Sequence, residues 1–190
     1  MFSTKFFKLL PYKFDLEKLQ TEVTSILDKI TITQDNQISL VYRDNHKENC
    51  WMDGISTPFE FDENRLPIKD KDGNNIRRYK EEEFKNINEE LKETEIANVY
   101  NTLGTYFNVT RYRIALLPPK KCYGWHTDEE VRLHIPIFTT PGSFLITDDG
   151  IASHLPADGH SYLFRANNSY HTAINSDYLK NRIHLLINVI

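Results

Sequence analysis

In Trp125-His126-Thr127-Asp128 a histidine and an aspartate flank one threonine, and a further histidine, His171, follows well downstream in Ser169-Tyr170-His171-Thr172. Two imidazoles and one carboxylate on one side of a divalent metal make a facial triad, the ligand set of open non-haem iron(II) sites, and leave the remaining positions to substrate and dioxygen. Side chains two apart in a strand point the same way, so His126 and Asp128 can reach one ion from a strand end. His171 must then arrive on a neighbouring strand. In a chain with seven histidines an H-x-D is also what two solvated loop residues would look like, so the surrounding pattern has to decide.

That pattern is a set of alternating segments. Arg111-Tyr-Arg113-Ile-Ala-Leu-Leu, Arg132-Leu-His134-Ile-Pro-Ile-Phe and Arg182-Ile-His184-Leu-Leu-Ile-Asn-Val each read as a β-strand. The ordinary meaning of such alternation is an antiparallel sheet with Arg and His on its wet face and Ile and Leu on its dry one. Yet each proposed ligand is followed closely by a strand that carries a fixed cation. A planar guanidinium grips a carboxylate through two parallel hydrogen bonds, so the pairing suits an anionic co-substrate beside the metal.

The motifs Arg113-Ile-Ala-Leu-Leu-Pro-Pro, His126-Thr-Asp128, Arg132-Leu-His134-Ile-Pro-Ile, Asp158-Gly159, His171-Thr-Ala-Ile-Asn175 and Asn181-Arg182-Ile-His184-Leu resemble, in this order, the aspartyl/asparaginyl β-hydroxylase family of 2-oxoglutarate-dependent oxygenases. The resemblance covers roughly residues 95–190. It implies a mainly β fold with flanking helices, a double-stranded β-helix or jelly-roll cupin, with iron(II) on His126, Asp128 and His171. It also implies that Arg182 pairs with one carboxylate of 2-oxoglutarate, that Arg132 and His134 approach the other, and that Arg113 lies near the co-substrate. The animal enzymes that name the family lack the triad carboxylate. Asp128 is present here, so the chain is more similar to bacterial members and to the related free-proline hydroxylases. A serine that the animal enzymes use near the co-substrate corresponds to Ala115. The implied activity uses dioxygen to hydroxylate an amino acid, a peptidyl side chain or another small molecule, and releases succinate and carbon dioxide. The alternative is a cupin that keeps the metal pocket but serves as an inactive binding or structural module, since a fold alone does not establish activity.

Zinc is the competing metal, but a closed structural zinc site wants four protein ligands, usually with cysteine. The only cysteines are Cys50 and Cys122, with no C-x-x-C. Cys122, four residues before His126, reads as a small buried hydrophobe, the alternative being a thiol that lines the pocket and can be oxidised there. Two cysteines give no disulfide framework and fit a reducing compartment, so a cytoplasmic location is expected. A net charge of −4 gives no footprint for nucleic acid. No stretch approaches the roughly 20 apolar residues that span a bilayer. The opening Met1-Phe-Ser-Thr-Lys-Phe-Phe-Lys-Leu-Leu-Pro11 reads as a first strand rather than a signal peptide.

The elements that must position the site follow from periodicity. Residues 1–190 form a single domain, with residues 1–104 contributing N-terminal strands and supporting helices and residues 105–190 a core that carries the motifs. Asp15 caps a helix with Leu16, Leu19, Val23, Ile26 and Ile30 on one stripe. Residues 31–43 turn to strand character, with Ile38, Leu40 and Tyr42 alternating against Ser39, Val41 and Arg43. Phe59 to Tyr79 is polar and turn-rich, with Asp72-Gly73 as a tight turn, and reads either as a solvated loop or as a lid beside the site. A second helix is expected from Lys80 or Glu81 to Leu103, ended by Gly104, with Glu81, Glu82 and Glu83 favouring its positive end. His46, His154 and His160 read as surface residues. His184 shares a face with Arg182, and Tyr123 and Trp125 precede the first ligand, where they can wall a pocket.

Overall fold

The computed structural model describes residues 3–32, 36–55 and 57–190. In chain order the elements are β1 (Phe7–Lys13), α1 (Leu16–Lys29), β2 (Gln37–Ser39), β3 (Val41–Arg43), β4 (Phe84–Ile87), α2 (Glu95–Gly104), β5 (Val109–Leu117), β6 (Lys121–Cys122), β7 (Val131–Phe138), β8 (Ser143–Thr147), β9 (Ala152–Ser153), β10 (His160–Phe164), β11 (His171–Asn175) and β12 (Arg182–Val189). The larger sheet has the order β1-β10-β7-β12-β5-β2, the smaller β6-β11-β8-β9, and β3 and β4 form a separate ribbon. The fold is a mainly β jelly roll, the double-stranded β-helix of the cupins, with two flanking helices. No helix among the described residues is long and apolar enough to cross a membrane.

The alternation of β5, β7 and β12 sorts their side chains between two different interiors. Tyr112, Ile114, Leu133, Ile135, Ile137, Leu185 and Ile187 face outward from the jelly roll and pack with Leu19 and Val23 of α1 and Ile96, Val99 and Leu103 of α2. Leu19 and Val23 are fully buried, and burial of each side chain contributes on the order of 2 kcal/mol. The opposite parity, Arg111, Arg113, Arg132, His134, Arg182 and His184, lines a cavity. Its wall is not the wet face that alternation ordinarily means: Arg113 and His184 are each 2% exposed.

The N-terminal half supplies the outer layers. Asp15 accepts a hydrogen bond from the Lys18 amide and starts α1 at the expected place. β1 is an edge strand, so Pro11 removes no obligatory ladder bond, and its register with β10 shifts between Leu9 and Lys13. Met1 and Phe2 of the expected first strand lie outside the described residues. The single strand expected over 31–43 divides at Leu40, with residues 33–35 outside the described part. β2 pairs with β5, the Leu40 amide donates to the Tyr112 carbonyl at 2.8 Å, and β3 turns away to pair with β4.

Four readings change. The helix expected from residue 80 to 103 is helical only as α2. Upstream, the chain makes one-turn 3₁₀ segments at Glu81–Glu83 and Glu89–Leu91 with β4 between them. Asn88 bonds the Glu90 amide, and Thr94 caps α2 through the Ala97 amide. The acidic run is not simply a helix start, because Glu81 is buried as the ion-pair partner of Arg111, Nε to Oε1 2.7 Å. Cys122 is exposed, not a buried hydrophobe, on the edge strand β6. His46, His154 and His160, read as surface residues, are half-buried. His154 Nδ1 lies 3.0 Å from the Ser143 carbonyl.

Residues 59–79 fold back on themselves through bridges Phe59 to Arg77, Phe61 to Pro67 and Lys69 to Asn75, with Gly73 at φ +86° in the turn. Arg77 ties this hairpin to Glu129, one residue beyond Asp128, at 2.9 Å. Thr57, Pro58 and Phe59 line the cavity.

Candidate metal and co-substrate site

His126 and His171 face each other as an antiparallel bridge. The His126 amide donates to the His171 carbonyl at 3.0 Å and the His171 amide to the His126 carbonyl at 2.8 Å. The Asp128 amide bonds the Ala166 carbonyl at 3.2 Å, which fixes the third residue of the set. Ligand atoms of His126, Asp128 and His171 thereby lie within 4.8 Å of one another. His126 Nε2 is 3.8 Å from Asp128 Oδ1, and His171 Nε2 is 3.4 Å from Asp128 Oδ2.

Hydrogen bonding fixes what these atoms present. His126 Nδ1 sits 2.8 Å from the Gly124 carbonyl and His171 Nδ1 2.9 Å from the Ser169 carbonyl. A carbonyl only accepts, so each Nδ1 carries a proton, and Nε2 is left as the atom each ring can turn on a metal at the same point. Asp128 Oδ2 is buried there without a hydrogen-bond partner. Two lone pairs and a carboxylate aimed at one point repel unless a cation lies between them. The donor set, two nitrogens and one hard oxygen, fits iron(II). Burial pushes the Asp128 carboxyl up, but Arg132, His171 and His126 outweigh it and hold it below the ordinary carboxylate range.

The cationic residues divide. Arg182, at the start of β12, is buried, and burial lowers its guanidinium to about 10. Its Nη2 lies 3.1 Å from His184 Nδ1, which therefore accepts, while His134 Nδ1 is 3.2 Å from the same atom. Burial first, then the charge of Arg182, pushes both imidazoles well below their ordinary value, so both are neutral at pH 7. His134 Nε2 and His184 Nε2 are buried without partners. Arg132, expected at the co-substrate, lines the same cavity and pairs with Asp128, Nη2 to Oδ1 2.5 Å. Arg113 donates to Asn188 Oδ1 at 2.7 Å and to Gln37 Oε1 at 3.3 Å.

These groups share a cavity of about 630 Å³ whose apolar wall includes Leu145, Phe164, Ala173 and Leu186. Tyr123 and Trp125 line it as expected, with Trp125 stacked on Tyr170 at 5.6 Å between ring centroids. Sequence reasoning did not assign Arg111, Asn188, Gln37 and Glu81 to the site. Arg111 and Asn188 carried a usable signal, since each sits two apart from a noted residue or its neighbour on one strand face. Glu81 carried none.

The fold is the one found in the 2OG-Fe(II) oxygenases. No protein-family model matches the sequence, and no curated protein matches it. Among solved structures, the chain is similar to an oxidoreductase of the 2OG-Fe(II) oxygenase family from Burkholderia pseudomallei, with 12% identity, a TM-score of 0.53, and coverage of 98% of this chain and 84% of that one. It is also similar to the viral collagen prolyl hydroxylase of Paramecium Bursaria Chlorella virus-1 in its 2OG complex, with 10% identity, a TM-score of 0.51, and coverage of 98% and 96%. At these identities the likeness is one of fold, and the chemistry has to be argued from the site.

Proposed function

We propose that the protein is an iron(II)- and 2-oxoglutarate-dependent dioxygenase that hydroxylates an amino acid, a peptidyl side chain or another small molecule. The observation that carries this reading is the convergence of two lone-pair nitrogens and the unpartnered Asp128 Oδ2 inside a cavity that also holds the buried Arg182. His126, Asp128 and His171 would hold the metal. Bound iron(II), with 2-oxoglutarate and dioxygen, supplies the oxidising chemistry, with succinate and carbon dioxide as by-products.

The chain's own residues do the rest. The Gly124 and Ser169 carbonyls keep the ring tautomers fixed, and Arg132 orients Asp128. Arg182 offers one carboxylate of 2-oxoglutarate a fixed charge beside the neutral His184 and Tyr123, and the partnerless His134 Nε2 supplies a polar atom in the same cavity. Leu145, Phe164, Ala173 and Leu186 keep that space poor in water, which strengthens these contacts. The solved relatives of like fold, one of them in complex with 2OG, support the co-substrate. The closer kinship with aspartyl/asparaginyl β-hydroxylases that keep the triad carboxylate rests on the six motifs.

The test is anaerobic addition of iron(II) and then 2-oxoglutarate, followed by visible absorption. A charge-transfer band that requires both additions and is missing in His171→Ala is the expected outcome. Iron binding without a band would leave a metal-binding cupin that does not use this co-substrate.

A further inference from the structure

One cation in the cavity is left over. Arg111 is matched by Glu81 at 2.7 Å and Arg132 by Asp128 at 2.5 Å. Glu81 is further occupied by Thr110 Oγ1 at 3.0 Å and Asn188 Nδ2 at 3.2 Å. Arg113 is 2% exposed, has two neutral amide partners, and has no carboxylate within ion-pair distance among the described residues. Its Nε is buried without any partner. A desolvated guanidinium in that state is costly unless an anion completes it. Burial, with Arg111 and Arg132 adding to it, already lowers this group to about 9.

The co-substrate does not account for it. Arg182 pairs across the ladder with Leu117, four positions beyond Arg113 on β5, so the two arginines start from points about 13 Å apart along the strands. The carboxyl carbons of 2-oxoglutarate are joined by four bonds of about 1.5 Å, so they lie no more than roughly 6 Å apart. With one end on Arg182 and the other at the metal, the diacid leaves Arg113 for something else. Arg113 and Arg132 pair with Leu186 and Asn188 of β12, which puts both at the other end of that strand from Arg182.

We infer that Arg113, backed by Gln37 and Asn188, is the subsite for a carboxylate carried by the substrate, so that the substrate class is a small carboxylic acid, amino acids included. This deepens the dioxygenase reading and rests on it. A planar guanidinium held through Nη1 and Nη2 by two neutral amides, with Nε still without a partner, matches a planar carboxylate of single charge. A cavity of about 630 Å³ has room for such a molecule beside 2-oxoglutarate.

The test is calorimetric titration of the iron(II)- and 2-oxoglutarate-loaded protein, without oxygen, with the common L-amino acids, short carboxylic acids and the methyl ester of each acid that binds. At least one free acid is expected to bind, and its ester to bind about tenfold or more weakly, as when a charge-assisted pair is lost. In Arg113→Gln the same acid should weaken by a like factor while 2-oxoglutarate affinity stays at the wild-type value, with Arg113→Lys recovering part of the loss. Gln37→Ala, on a half-buried edge strand, should weaken the acid several-fold if Arg113→Gln does not fold. Acids and esters that bind equally, no acid that binds, or an Arg113→Gln variant that loses 2-oxoglutarate instead, would each overturn the inference. Absence of 2-oxoglutarate binding in the wild type would overturn the dioxygenase reading itself, and the two failures are distinguishable.

Discussion

Asp128 has two claims on it, the metal point and Arg132, and the geometry satisfies both. Its Oδ1 takes Arg132 Nη2 at 2.5 Å, while Oδ2 stays unpartnered between the imidazoles. A carboxylate held from behind by a fixed cation keeps one oxygen aimed at the ion, the role usual for the outer partners of ligand residues. The family resemblance puts Arg132 at the co-substrate, whereas spacing shows only a cation six residues after His126 and not which anion it meets. Arg132→Ala is expected to lower iron(II) affinity about 10- to 100-fold, measured by metal titration of the purified variant. An unchanged metal affinity with weakened 2-oxoglutarate binding would return Arg132 to the co-substrate.

At the scale of elements, the turn before β10 shows how the motifs mix chemistry with backbone need. Asp158-Gly159 belongs to the family-like set, yet Gly159 has φ +85° and its carbonyl accepts from the Phe14 amide at 2.9 Å. A Cβ there would meet the Phe14 carbonyl oxygen at 2.5 Å, and backbone cannot swing aside. Gly159→Ala is therefore expected to destabilise the fold by more than about 1 kcal/mol, read from denaturant midpoints, with the triad unaltered in metal binding per folded molecule. The misread second helix makes the same point from the other side. Phe84 and Leu91 have helical spacing with Ile87, but the ladder to β3 and the pull of Arg111 on Glu81 outweigh local propensity.

For the whole molecule, the cost of the cavity appears as pH dependence. His134 and His184 have folded values well below 6.5, so the unfolded chain binds more protons than the folded one as pH falls through 6.5. Stability therefore rises with pH up to about 6.5 and is lost progressively below it, by about 1.4 kcal/mol for each unit of separation in each histidine. Thermal melts of metal-free protein between pH 7.5 and 5 should show Tm falling, and a His134→Gln, His184→Gln double variant should flatten that slope. An equal slope in the variant would place the acid sensitivity elsewhere.

Strand alternation, the apolar stripe of α1, the capping Asp15 and the H-x-D with its distant histidine were legible in the sequence, because they depend on local periodicity and ligand chemistry. The tertiary structure alone decided that the polar faces of β5, β7 and β12 line a cavity between two sheets rather than an open wet face, because residues of the second sheet line the opposite side. It also decided which anion each arginine meets. Glu81 reaches Arg111 across 30 residues of chain and leaves Arg113 without a carboxylate, a pairing fixed by which strands are neighbours and not by spacing along the chain.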